Sequence, residues 1–257
     1  MRCPLNQGGH LLVSYILKEN LKMKIQRLCV FGFWVIFLLF GNAMAETLFF
    51  DDFEGNAGIE WPDVPAITIE TDPGNPDNTV LVFDTRNDQT HADVLFLEGF
   101  EDLTDYTLRA KFNIVGETAE FAAIGLIVRA QLATEYMLVE PARKRLCCGD
   151  PRENILNVFE RGGGWPIVAK ADINIEFDEW HELSVTVEDK KLTVSLDGKQ
   201  IAEYGKVPYP KGGFGIREWR SETLIDDVEV FDKDGSSLAV ESRDKLTTTW
   251  GSLKAIQ

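Results

Sequence analysis

Apolar and polar residues alternate with a period of two along most of this chain, and this alternation limits the fold more than any other feature. It begins after Glu46 and is clearest in residues 105–115, where every second residue is apolar. Turn residues interrupt the runs, and Asp197-Gly198 is a strong hairpin signal. No segment of the sequence keeps a helical period. The pattern therefore predicts an all-β fold in which two antiparallel sheets pack as a sandwich.

A secretory signal is predicted at the N-terminus. Residues 28–40, LCVFGFWVIFLLF, form an uninterrupted apolar run that follows several basic residues. Ala43 and Ala45 come next and fit the small-x-small rule for signal peptidase. The run is short for a bilayer span of about 20 residues. We therefore expect residues 1–45 to be removed after Ala45, with Met23 as the natural start of the chain.

The rest of the chain divides into one predicted domain and a tail. Residues 46–232 carry the alternating pattern, and the polar residues 233–257 follow it. The chain has a formal net charge of −16, and its predicted signal is basic, so the domain itself is strongly acidic. An acidic surface repels the phosphates of nucleic acids and anionic lipids, which excludes both as predicted partners. It is compatible with a neutral saccharide, with a cation, or with solubility alone.

Two segments near the C-terminal end of the domain carry a family resemblance. DEWHELSVTVEDKKLTVSLDGKQIAEY (178–204) and GGFGIREWRSETLIDDVEVFD (212–232) resemble laminin-G-like, concanavalin A-like jelly rolls, and LFFDDFEG (48–55) resembles their first strand. Bacterial relatives include carbohydrate-binding modules and the 3-keto-disaccharide hydrolase-type domain. The resemblance implies a jelly-roll sandwich of two curved sheets, with sugars bound on the concave face.

Strand alternation predicts a ligand-binding face. In residues 212–219, Phe214 and Ile216 point inward, so Arg217 and Trp219 share the opposite face. Tryptophan can stack on a sugar ring, and arginine can donate paired hydrogen bonds to hydroxyl groups. The alternative is a set of cross-strand ion pairs around a half-buried tryptophan. The predicted ligand-binding residues are Arg129, Tyr136, Glu140, Arg161, Trp165, Arg217 and Trp219.

Acidic residues at both ends of the domain predict a structural calcium ion. The first and last strands of a jelly roll are commonly neighbours, which would bring Asp52 and Glu54 close to Asp226. Clustered carboxylates repel one another unless a cation intervenes, and calcium takes oxygen ligands. The alternative is that these side chains cap turns and face solvent.

A third segment, IEFDEWHE (175–182), resembles the acidic strand of laminarinase-type glycosidases through Glu176 and Asp178. The third position of that motif falls on His181, and we assign no catalytic residue. The first function hypothesis is a secreted, non-catalytic module that binds a neutral saccharide. The second is a hydrolase of the 3-keto-disaccharide or laminarinase type, and the third is an extracellular adhesion or scaffold domain. The oligomeric state is left open.

Overall fold

The computed structural model describes residues 47–55, 61, 62, 64–87, 93–118, 120–146 and 151–232. The predicted signal at 1–45 and the predicted tail at 233–257 lie outside these residues. Within the described part, no helix has the length and apolar character needed to cross a bilayer.

Fourteen strands make up the described part of the chain. In chain order they are β1 (Thr47–Asp51), β2 (Ile67–Asp72), β3 (Asn75–Asp84), β4 (Asp93–Phe96), β5 (Tyr106–Glu117), β6 (Phe121–Leu132), β7 (Glu135–Arg145), β8 (Arg152–Gly162), β9 (Ile167–Asp172), β10 (His181–Glu188), β11 (Lys191–Leu196), β12 (Lys199–Tyr204), β13 (Gly213–Trp219) and β14 (Ser221–Asp232).

These strands form two antiparallel sheets. The eight-stranded sheet has the order β12-β11-β10-β5-β14-β3-β2, with β1 also paired to β14. The six-stranded sheet has the order β4-β13-β6-β7-β8-β9. The predicted all-β sandwich is confirmed. The expected pairing of the first and last strands is confirmed too, because Asp51 of β1 lies opposite Val228 of β14.

The core lies between the two sheets and follows the alternation of the sequence. In β5 the side chains of Leu108, Phe112 and Ile114 are buried, and those of Leu126 and Val128 in β6 belong to the same apolar cluster. Burial of each large aliphatic or aromatic side chain stabilises the fold by about 1.5–3 kcal/mol. The residues between them in sequence therefore occupy the outer faces of the sandwich.

Tyr106 links the two sheets by hydrogen bonds. Its hydroxyl donates to the carbonyl of Gly213 at 3.1 Å and accepts from the backbone N–H of Arg129 at 2.8 Å. Complete burial raises the pKa of the Tyr106 phenol, so the hydroxyl stays protonated and can act as that donor.

The predicted Asp197-Gly198 reversal is present between β11 and β12. Both residues have positive φ, 50° for Asp197 and 73° for Gly198. Two successive left-handed residues are the mark of a type I′ turn, whose twist matches that of the strands it joins. The local sequence therefore determines this hairpin.

Candidate functional site

A row of polar side chains crosses the outer face of the six-stranded sheet. Arg217 of β13 pairs with Gly125 of β6, and Glu140 of β7 pairs with Asn157 of β8. Arg217 reaches past the glycine position, and its Nη1 donates to Oε2 of Glu140 at 2.5 Å. Asn157 in turn lies opposite Lys170 of β9. Strand register therefore places one ion pair and one amide side by side.

Aromatic rings and guanidinium groups form a closed ring on this face. Arg217 lies between two tryptophans, with its guanidinium carbon 5.1 Å from the centroid of Trp165 and 4.7 Å from that of Trp219. Arg145 contacts Trp219 at 5.6 Å and Phe159 at 5.2 Å. Phe159 meets Trp165 edge-on at 5.8 Å. We call these five residues the Arg–Trp ring. Each cation–π contact contributes about 0.5–2 kcal/mol, so the ring is held in one arrangement.

Two side chains beside the ring have polar atoms without partners. Glu140 and Asn157 are each only 1% exposed. Oε1 of Glu140 and both side-chain polar atoms of Asn157 have no hydrogen-bond partner. Burial raises the pKa of Glu140, and the charges of Arg217 and Arg145 oppose that rise. A buried polar atom left without a partner costs about 1–3 kcal/mol, so these atoms mark a place where a ligand could supply the missing bonds.

Six of the seven predicted ligand-binding residues belong to this one face. They are Tyr136, Glu140, Arg161, Trp165, Arg217 and Trp219. Arg161 lies 3.8 Å from the centroid of Trp165, and that tryptophan is 47% exposed. Arg161 also lies 5.8 Å from the ring of Tyr136. The exposed part of this face is therefore the indole of Trp165, which lies against the guanidinium groups of Arg161 and Arg217.

The prediction that Arg129 projects from this face is wrong. Its side chain is fully buried, with Nη1 donating to the carbonyl of Tyr209 at 2.7 Å and Nη2 to that of Asp189 at 3.2 Å. Arg129 has a φ of 55°, and the register between β6 and β7 shifts between Val128 and Leu132. A shift of register breaks the alternation from which its direction was predicted. The guanidinium group of Arg129 instead connects the backbone at Tyr209 to the backbone at Asp189.

Sequence reasoning missed three residues of the site. Asn157 and Phe159 have the same parity as Arg161 in β8, so alternation alone was enough to find them. Arg145 lies in residues 141–154, which the sequence pattern suggests is a polar insertion. The structure shows that β7 continues through Arg145. Because residues 141–145 are largely polar and do not alternate, the sequence did not predict that the strand continues through them.

An open cavity lies on the outer face of the eight-stranded sheet. It has a volume of about 890 Å³, and the described residues that line it include eight acidic residues and one lysine. Asp52, Glu54 and Asp226 are among them. We call this surface the acidic groove. Strand order therefore brings the predicted calcium ligands to one surface.

These carboxylates do not form a calcium site in the described part of the chain, where no group of three His, Cys, Asp or Glu residues is arranged to hold a metal ion. Each predicted ligand already accepts a hydrogen bond. Asp52 bonds the N–H of Glu54 at 3.2 Å, and Glu54 bonds the N–H of Thr79 at 2.7 Å. Asp226 accepts from the side chain of Asn78 at 3.1 Å. The alternative of turn-capping carboxylates describes this geometry better.

Comparison with known proteins identifies the fold. No protein-family model matches the chain, and no curated protein matches it. A Bacillus subtilis protein of unknown function with a galectin-like fold superposes with a TM-score of 0.55 at 13% identity, over 74% of this chain and 98% of that one. The carbohydrate recognition domain of Emp47p superposes with a TM-score of 0.55 at 16% identity, over 76% and 99%. The chain therefore has a jelly-roll fold of the galectin-like type.

A further similarity has a lower score. The carbohydrate-binding module CBM66 from Bacillus subtilis gives a TM-score of 0.49 at 13% identity, over 72% of this chain and 96% of that one.

The segment that resembles laminarinase-type glycosidases forms a turn of the jelly roll. His181 has partners on both ring nitrogens, Asp197 Oδ2 at 2.9 Å and the backbone N–H of Glu176 at 3.4 Å. Asp178 has a φ of 61° and lines the acidic groove, whereas Glu176 lies beside Arg143 at 4.0 Å. His181 therefore links the start of β10 to the preceding turn and to the β11–β12 hairpin.

Proposed function

We propose that this jelly roll is a saccharide-binding module and that the Arg–Trp ring is its contact surface. The observation that carries the proposal is the half-exposed Trp165, held edge-on to Phe159 and stacked with Arg161 and Arg217. A tryptophan fixed in this way offers a flat apolar surface to a sugar ring without losing further side-chain freedom on binding.

The polar atoms beneath the ring suit a neutral saccharide. Arg217 and Glu140 form a pair whose charges balance, and Arg145 and Arg161 beside it lie against the aromatic rings of Phe159, Trp219 and Trp165. Glu140 Oε1 can accept a hydrogen bond from a hydroxyl group, and the amide of Asn157 can both donate and accept. The fold likeness to the Emp47p carbohydrate recognition domain is in keeping with this reading.

An array of neutral and uronic-acid-containing oligosaccharides, followed by calorimetric titration of the best binder, tests the proposal. We expect Trp165→Ala and Trp219→Ala each to weaken binding about tenfold, equivalent to about 1.4 kcal/mol. Trp180→Ala is the matched control, because Trp180 is also partly exposed but lines the acidic groove. Equal affinity in all three variants would overturn the placement of the site.

The same titration separates the proposal from the alternatives. The module is proposed to be non-catalytic, so bound oligosaccharide should be recovered intact by mass spectrometry. Cleavage would support the hydrolase alternative, which requires two suitably placed carboxyl groups. Binding to none of the glycans would leave the adhesion or scaffold function.

The proposal includes export from the cytoplasm. Its support is the basic, apolar and small-x-small pattern of residues 1–45. N-terminal sequencing of the protein recovered from its native cells should begin at Glu46. A mature protein that keeps residues 28–40 would contradict export by signal cleavage.

A further inference from the structure

The lining of the acidic groove contains many more carboxylates than cationic groups. Eight of the described residues that line it are acidic, and its lysine, Lys111, is bound to Asp227, with Nζ 2.7 Å from Oδ2. A ligand for this surface must therefore bring positive charge and hydrogen-bond donors.

Asn113 is a second and independent sign of a ligand. It lies in β5 between the core residues Phe112 and Ile114, so its side chain is on the outer face, where it lines the groove. The side chain is 6% exposed, and its Oδ1 has no hydrogen-bond partner. A buried carbonyl oxygen without a donor is costly, and a donor from a bound molecule would remove that cost.

The shape of the groove favours an organic ligand over a single ion. Several of its carboxylates are held by backbone N–H groups, such as Asp72 by Gly74 at 2.7 Å and Glu54 by Thr79 at 2.7 Å. Their oxygens line a volume of about 890 Å³, which falls within the range of about 300–1,000 Å³ typical of small-molecule sites. Trp180, 36% exposed, adds one aromatic surface to the lining.

We propose that the acidic groove binds a saccharide that carries protonated amino groups, such as an oligomer of glucosamine. Each ammonium group supplies three donors and one positive charge, which the carboxylates accept in charge-assisted hydrogen bonds. Trp180 packs against a sugar ring, and Asn113 accepts from an ammonium or hydroxyl group. This site is separate from the Arg–Trp ring and takes a ligand of different charge.

Calorimetric titration with a glucosamine tetramer tests the proposal. The N-acetylglucosamine tetramer is the matched ligand control, since it has the same rings without positive charge. We expect the amine form to bind at least about tenfold more tightly than the acetylated form, and less tightly as salt is raised. Spermine and tetralysine carry ammonium groups without sugar rings, and we expect both to bind more weakly.

Two aspartates with the same backbone geometry provide matched variants. Asp178 lines the groove and Asp189 does not, and both are exposed with positive φ, 61° and 49°. Asparagine tolerates this conformation well, so both variants should fold. We expect Asp178→Asn to weaken binding of the glucosamine tetramer several-fold and Asp189→Asn to leave it unchanged.

Three results would overturn the proposal. The first is equal binding of the amine and acetylated tetramers by the Trp165→Ala variant, in which binding of a neutral saccharide at the Arg–Trp ring is weakened, and the second is equal loss in the Asp178 and Asp189 variants. The third is binding of spermine or tetralysine as tight as that of the glucosamine tetramer, because the groove would then recognise charge without a sugar. Trp165→Ala should not affect this titration, so failure here is distinguishable from failure of the Arg–Trp ring.

Discussion

The two outer faces of the sandwich carry charge in opposite ways. On the six-stranded sheet, Arg145, Arg161 and Arg217 are stacked against aromatic rings around the nearly buried Glu140. On the eight-stranded sheet, carboxylates are hydrogen-bonded to backbone N–H groups around an open groove. The chain as a whole has a net charge of −16. The comparison shows that strand register, rather than total charge, decides which charged groups each face presents.

The largest expected difference between the faces concerns their ion pairs. Arg217→Met should lower the free energy of unfolding by about 3–5 kcal/mol, because it leaves Glu140 buried without its partner. Lys111→Met in the groove should cost less than about 1 kcal/mol, because the Lys111–Asp227 pair is partly solvent-exposed. Urea unfolding of both variants measures the difference. The double variant Arg217→Met/Glu140→Leu should recover most of the lost stability. Similar losses in Arg217→Met and Lys111→Met would contradict the expected difference between the two ion pairs.

A second difference concerns how closely the faces are packed. A Cβ at Gly125, beside Arg217, would lie 2.5 Å from Cδ1 of the buried Leu138. A Cβ at Gly74, in the groove, would meet only Asp72 Oδ1 at 3.4 Å. Gly125→Ala should therefore cost about 1–3 kcal/mol, and Gly74→Ala should stay within about 0.5 kcal/mol. Thermal unfolding checks both, and a tolerated Gly125→Ala would mean that the ring face is loosely packed.

The pH dependence of stability should reflect Asp226. Burial raises its pKa in the folded state, so its contribution to stability is complete below the unfolded pKa of about 3.9 and is lost as pH rises through the folded pKa. Asp226→Asn should therefore raise stability at pH 7 relative to wild type and have little effect at pH 3. Asp102→Asn is the control and should change stability in the opposite direction. Lys211 lowers the pKa of Asp102, so this substitution should lower stability at pH 7. Parallel pH profiles for wild type and Asp226→Asn would contradict the expectation.

The smallest expected effect is that of metal removal. Because Asp52, Glu54 and Asp226 already accept internal hydrogen bonds, chelation with EDTA should leave the thermal midpoint of the purified protein unchanged. Addition of calcium should not raise it. A rise of several degrees in the thermal midpoint on addition of calcium would support the predicted calcium ion and would indicate that the acidic groove binds a metal.

Much of this molecule could be predicted from local sequence patterns. Alternation placed Phe214 and Ile216 in the core and Arg217 on the outer face, because successive side chains of a strand point to opposite sides. The Asp197-Gly198 turn followed from residues that tolerate positive φ. Arg129 was misplaced because a register shift interrupts the alternation at that point, and such a shift depends on the neighbouring strand.

The sequence by itself determined the fold class, the inner and outer faces of most strands and the tight Asp197-Gly198 hairpin, since each depends on residues adjacent along the chain. Only the tertiary structure decided which distant residues meet. Trp165 reaches Arg217 because a loop after β8 returns over the face that β13 helps to form. Asp178 joins Asp226 in the groove because the turn before β10 lies beside β14 and β5. Contacts of this kind depend on sheet order and register, which period-two patterns do not encode.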